Sequence, residues 1–201
     1  MSELAISGAA SAGFRRSLRD TVGRVSGPEV PMIRARVTTL LAPGDYVLGG
    51  HGGDVCTLLG SCVAMALWHP PSRVGALSHS LLARRQSTVS AALDARYVED
   101  ALELMLRALA RRGIAARDCR AKVFGGGDMF GTAERGHAPT VGQRNGEAAL
   151  TLLQASGIPV VACCLYGAGH RALRFELSTG DVWLRRHSRT CSTSEPGRGV
   201  R

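Results

Sequence analysis

Two side chains in one short stretch of the chain have the chemistry of a nucleophile and a base: Cys62, in Leu59-Gly60-Ser61-Cys62-Val63, and His79, in Val74-Gly75-Ala76-Leu77-Ser78-His79. A thiol becomes a nucleophile at neutral pH when a nearby group takes its proton, and an imidazole within hydrogen-bond reach does this. The same residue types also serve as a small buried hydrophobe and a satisfied strand histidine, so the pair carries chemistry only if the fold brings the two together.

The intervening residues supply a means of doing so. Val63, Met65 and Leu67 alternate with alanines up to Trp68, the period of a buried strand, and Val74 to Leu81 restarts an apolar run. Between them His69-Pro70-Pro71-Ser72 breaks the pattern, since two prolines fix φ and remove two backbone donors. The reading is a β-hairpin. With its turn centred between Pro70 and Pro71, Cys62 and His79 lie directly opposite, their Cβ atoms about 4.5–5.5 Å apart. Gly60 and Ser61, at the preceding strand end, are placed to offer backbone N–H groups to an oxyanion.

Other function classes are poorly served. The 201 residues suit one domain, and no apolar run reaches the ~18 residues of a membrane span. The N-terminus puts its small apolar residues ahead of Arg15, Arg16 and Arg19, the reverse of a secretory signal, which points to the cytoplasm. Cysteines at 56, 62, 119, 163, 164 and 191 form no C-x-x-C pair, so neither a zinc site nor a disulfide framework is expected, and no cofactor is implied. The net charge of +9 raises nucleic-acid binding. However, Lys122 is the sole lysine, and many of the arginines sit in tails that lack interleaved aromatics.

Along the chain, residues 1–30 read as a disordered or loosely attached arm, 31–187 as one domain and 188–201 as a flexible polar tail. Strands are expected over Met32 to Leu41, Asp45 to Leu48, Asp54 to Leu59, Cys119 to Phe124, Arg171 to Leu177 and Val182 to Arg186, with Ile158 to Leu165 as a buried strand. Ala91 to Arg112 is the clearest helix, stopped by Gly113, and a second runs from about Gly146 to Ser156, with Asn145 as its cap. The glycine run Gly125-Gly126-Gly127 follows a strand but lacks the lysine and helix of a phosphate loop, and is read as allowing close approach to the hairpin. The fold class is α+β, a layered sandwich of mixed or antiparallel sheet with flanking helices.

Taken together, several motifs resemble the CheD family of chemoreceptor glutamine deamidases. They are Leu59-Gly60-Ser61-Cys62-Val63, Gly75 to His79, Ala121-Lys122-Val123-Phe124-Gly125-Gly126 and Gly142-Gln143-Arg144-Asn145, extended by Gly167 to Phe175 and Thr179-Gly180. The resemblance implies a fold similar to deamidating bacterial toxins and a cysteine hydrolase that converts receptor glutamines to glutamates through a Cys-His-Thr triad. Cys62 and His79 match the nucleophile and base. Thr57, five positions before the cysteine, matches the third member; the position at six is Cys56. Two departures stand out: Ser78 where the family commonly has Asn, and Ala83-Arg84-Arg85 where Leu-Pro usually follows.

On this reading a protonated His79 favours the Cys62 thiolate by charge pairing, and the resemblance implies methyl-accepting chemotaxis receptors as partners, with a CheC-type phosphatase as a further one. Nucleic acid and membrane insertion are not expected. A non-catalytic adaptor docking on receptors or on such a phosphatase is the alternative, with Cys62 purely structural.

Overall fold

A computed structural model of the chain describes residues 3–6, 37–50, 52–85, 92–129 and 138–187. Ten strands and two α-helices are arranged as α+β in three layers. One five-stranded sheet holds β1 (Glu3–Ile6), β10 (Val182–His187), β9 (His170–Glu176), β4 (Gly53–Leu59) and β2 (Val37–Leu40), in that order. The other holds β3 (Tyr46–Gly50), β6 (Val74–Ser78), β5 (Val63–His69), β7 (Arg120–Gly125) and β8 (Val160–Leu165). Both helices, α1 (Val98–Ala110) and α2 (Val141–Ala155), cover the outer face of the second sheet.

Strand periodicity divides the apolar residues between two cores. Along β5, Val63, Met65 and Leu67 face the helices with Val98, Met105 and Leu153, while Ala64 and Ala66 face the first sheet with Val55, Leu59, Phe124, Leu173 and Phe175. Cys62 packs against this inter-sheet core, and Thr57 shares the face of Val55 and Leu59. The neighbourhood of Cys62 is thus a seam between two sheets.

Several expectations need correction. Glu3–Ile6, within the arm expected over 1–30, pairs antiparallel with β10; residues 7–36 and the tail 188–201 lie outside those described. The strand over Ile158 to Leu165 is not buried. As β8 it is the edge of its sheet, parallel to β7, and leaves Val160, Val161 and Cys163 exposed. A continuous apolar run records β-propensity and does not tell an edge from a centre. The second helix begins at Val141, five residues ahead of the expected start, because Thr140 caps it. The Thr140 hydroxyl accepts from the Gln143 N–H at 3.1 Å while the Gln143 side chain accepts from the Thr140 N–H at 2.7 Å. The first helix starts later than expected, at Val98.

The hairpin exists, with a different register. Trp68 faces Gly75, His69 faces Val74 and Val63 bridges Ser80, so the turn is centred between Pro71 and Ser72. Carrying this pairing one residue on sets Leu81 across from Cys62. Its cause is a four-residue turn, Pro70 to Arg73, in which Arg73 takes φ 52. Relative to the expected pairing the shift is two residues, which preserves the face of every side chain. Cys62 and His79 are therefore diagonal neighbours on one face, about 7–8 Å apart along the strands, rather than directly opposed.

Candidate active site

His79 is held on every side. Its N–H donates to the Asp45 carbonyl at 3.0 Å and its carbonyl accepts from Gly44 at 2.8 Å, pinning the backbone. Its ring is almost wholly buried. Across the seam, Thr57 Oγ1 lies 2.7 Å from His79 Nδ1 and donates its one proton to the Leu41 carbonyl at 2.9 Å. A carbonyl can only accept, so the hydroxyl proton is committed and Nδ1–H must be the donor to Oγ1. The neutral tautomer then carries its lone pair on Nε2. That nitrogen is buried and makes no hydrogen bond among the described residues. It is a base with nothing yet to accept.

Thr57, Cys62 and His79 converge on the inter-sheet face. Cys56 does not, since alternation along β4 turns it away from the face that carries Thr57, Val55 and Leu59. Cys56 and Cys62 are both free thiols. The two family departures lie off this face as well. Ser78 Oγ accepts from the Met65 N–H at 3.4 Å on the helix side of its strand. Arg85 binds Asp100 through Nε at 2.7 Å and stacks its guanidinium 5.2 Å from the Tyr97 ring, fastening the segment after the hairpin to the start of α1.

Burial acts against the expected thiolate–imidazolium pairing at both of its members. Burial pushes the Cys62 thiol above its ordinary value, opposed by its own backbone amide. Burial likewise holds His79 below its ordinary value, opposed by the Leu41 carbonyl and the Asp45 charge. Removing water disfavours both ions. Both shifts run against charge separation between the two groups at rest.

The loop bearing Cys62 is tied down by three successive carbonyls. Gly60 C=O accepts from the Gly127 N–H at 2.8 Å, Ser61 C=O from Asn145 Nδ2 at 3.1 Å, and Cys62 C=O from the Gly126 N–H at 2.8 Å. The glycine run does allow close approach. At Gly125, with φ +117, a Cβ would stand 2.1 Å from the Cys62 carbonyl oxygen. At Gly60 a Cβ would stand 3.0 Å from Met129 Sδ, a contact that a small shift of the flexible methionine relieves. Among the described residues the N–H groups of Ser61 and Cys62 donate to no other residue. No three His, Cys, Asp or Glu side chains among the described residues gather as a metal site.

Sequence reasoning gave Asn145 the wrong task and overlooked Arg171. Asn145 is not a cap; its Nδ2 donates to the carbonyls of Ser61 and Leu81. Arg171 is buried, and its guanidinium donates to the carbonyls of Gly125 and Tyr166, bracing the glycine loop from below. A lone arginine in a strand pattern gives no sign of this.

Comparison with known proteins gives the family. A family model described as CheD chemotactic sensory transduction matches residues 80–186. The chain belongs to the CheD family. It is 51% identical over 148 residues, 73% of its own length and 86% of the relative's, to a protein of Albidiferax ferrireducens named "Probable chemoreceptor glutamine deamidase CheD 2". A CheD relative in Dechloromonas aromatica, named in the same way, is 39% identical over 144 residues, covering 72% of this chain and 84% of that one. One in Pseudomonas fluorescens is 39% identical over 148 residues, 73% and 82% of the two chains. Among solved structures, this CheD chain is similar to YfiH of Bacillus licheniformis (TM-score 0.40, 11% identity, 71% of this chain and 61% of that one). It is also similar to YlmD of Geobacillus stearothermophilus (TM-score 0.41, 13% identity, 72% and 62%). No helix among the described residues of this CheD chain is long and apolar enough to cross a membrane.

Proposed function

We propose that the protein is a protein-glutamine deamidase of methyl-accepting chemotaxis receptors, a hydrolase that works in the cytoplasm with Cys62 as nucleophile, His79 as base and Thr57 as the residue that orients the ring. The observation that carries the reading is the Thr57–His79 bond across the seam. It fixes the proton on Nδ1 and presents a free Nε2 on the face that Cys62 shares.

The chemistry follows in two halves. Cys62 sulfur bonds to the carboxamide carbon of glutamine as its proton passes to His79 Nε2, and the N–H groups of Ser61 and Cys62 receive the developing oxyanion. His79 returns that proton to the departing nitrogen, the C–N bond breaks, and ammonia leaves a thioester. Water then gives a proton to Nε2 and its oxygen to the carbonyl carbon. The C–S bond breaks, the thiol is restored, and the product is glutamate. Thr57 keeps the imidazole in the required tautomer throughout, the part an orienting group plays in a triad.

Incubating the protein with a chemoreceptor cytoplasmic fragment, and following ammonia together with peptide masses, tests this. Conversion of specific glutamines to glutamates by the intact protein and not by Cys62→Ala supports it. Tight binding to the receptor, or to a CheC-type phosphatase, without ammonia release would sink it in favour of the adaptor.

A further inference from the structure

Asn145 lies on α2 and yet reaches the chain on both sides of the hairpin, just before β5 and just after β6, 84 residues from Ser61 and 64 from Leu81 in sequence. Its Nδ2 gives one proton to the Ser61 carbonyl at 3.1 Å and the other to the Leu81 carbonyl at 2.7 Å. Turning the amide over would set its oxygen against two carbonyl oxygens, so the orientation is fixed by chemistry. The side chain is 1% exposed, so no water competes for these bonds. An asparagine this buried, donating to two distant segments, does more than begin a helix, which Thr140 already does.

What it holds is specific. The Ser61 carbonyl and the Cys62 N–H belong to one planar trans peptide and point in opposite directions. Fixing the carbonyl therefore fixes the N–H. That N–H makes no hydrogen bond to another residue among those described. The second bond, to Leu81, ties the same side chain to the residue across from Cys62 in the hairpin register. Neighbouring carbonyls at Gly60 and Cys62 are held from the glycine loop; the peptide whose N–H belongs to the nucleophile is held by a side chain.

From this geometry we infer that Asn145 is a positioning residue for the oxyanion site, orienting the Cys62 backbone N–H toward the carbonyl oxygen of whatever acyl group the thiol attacks. This rests on the reading of Cys62 as an acyl-transfer nucleophile, and it adds the side chain that makes its amide an effective donor.

Two probes of the same thiol separate this role from mere support. Acylation by p-nitrophenyl acetate joins the Cys62 sulfur to the acetyl carbon and expels p-nitrophenolate, with the thiol proton passing to His79 Nε2; it passes through an oxyanion. Alkylation by iodoacetamide displaces iodide and forms none. With rates corrected against Cys62→Ala, Asn145→Ala is expected to acylate about 100-fold more slowly, the scale of losing one oxyanion donor, and to alkylate within about threefold of wild type. Equal rates for both probes in variant and wild type overturn the inference. So does a parallel fall in both, which marks loss of the loop as a whole. Asn145→Asp, of the same shape but unable to donate when ionised, is the second variant, and either one that keeps the wild-type unfolding transition decides. If neither folds, Asn145 is structural and the inference fails. Neither probe needs a receptor. A wild type that acylates readily but never converts a receptor glutamine sinks the deamidase reading alone, whereas one that does not acylate at Cys62 sinks both.

Discussion

Thr57 and His79, on different sheets and 22 residues apart, are joined by a 2.7 Å bond between Oγ1 and Nδ1. Because the threonine proton is already given to Leu41, this one contact sets the tautomer of the base.

Thr57→Val keeps the shape and removes the acceptor. A buried Nδ1–H is left unpaired, at about 1–3 kcal/mol of stability, and glutamine deamidation falls by roughly 100-fold as the ring loses its orientation. Thr57→Ser keeps both properties near wild type. Urea unfolding and ammonia release measure the two effects, and equal activity in Thr57→Val would remove threonine from the triad.

The folded protein binds fewer protons than the unfolded chain near pH 6.5, since burial holds His79 below that ordinary value. Stability contributed by the neutral ring is therefore complete above 6.5 and is lost as pH falls through it toward the lower folded value. The urea midpoint should drop on the acid side of 6.5, and less steeply in His79→Gln. Deamidation should follow, with the acid limb of kcat/KM centred below 6.5.

A raised Cys62 pKa makes its thiolate scarce at neutral pH. Iodoacetamide followed by peptide mapping should label the exposed Cys163 before Cys62, and labelling of Cys62 should climb with pH. Preferential labelling of Cys62 at neutral pH would contradict a raised thiol pKa.

Gly125→Ala brings a Cβ into the Cys62 carbonyl at a backbone conformation only glycine adopts easily. The conformational strain alone is about 1–3 kcal/mol. A lowered melting temperature and lost deamidation are expected together, because the residue that moves is Cys62, the proposed nucleophile.

Much of the site could be read from local pattern. The alternation from Val63 to Leu67 and the double proline predict a hairpin, and period-two side-chain direction puts Cys62 and His79 on one face even though the pairing is displaced by two residues. That displacement rests on Arg73 adopting a left-handed φ, which a residue's type does not announce. Thr57 was reached through family resemblance, because nothing in the residues near it says that a second sheet will bring it against His79.

Local pattern was enough for most of the elements, for Cys62 and His79, and for the glycines that permit close packing, since propensity, periodicity and φ freedom act between near neighbours. The exposure of β8, the burial that raises the Cys62 pKa and lowers that of His79, and the contacts of Asn145 arise from tertiary packing. Each of these depends on what lies across a sheet or a seam, where desolvation and hydrogen bonding link residues that the chain keeps far apart.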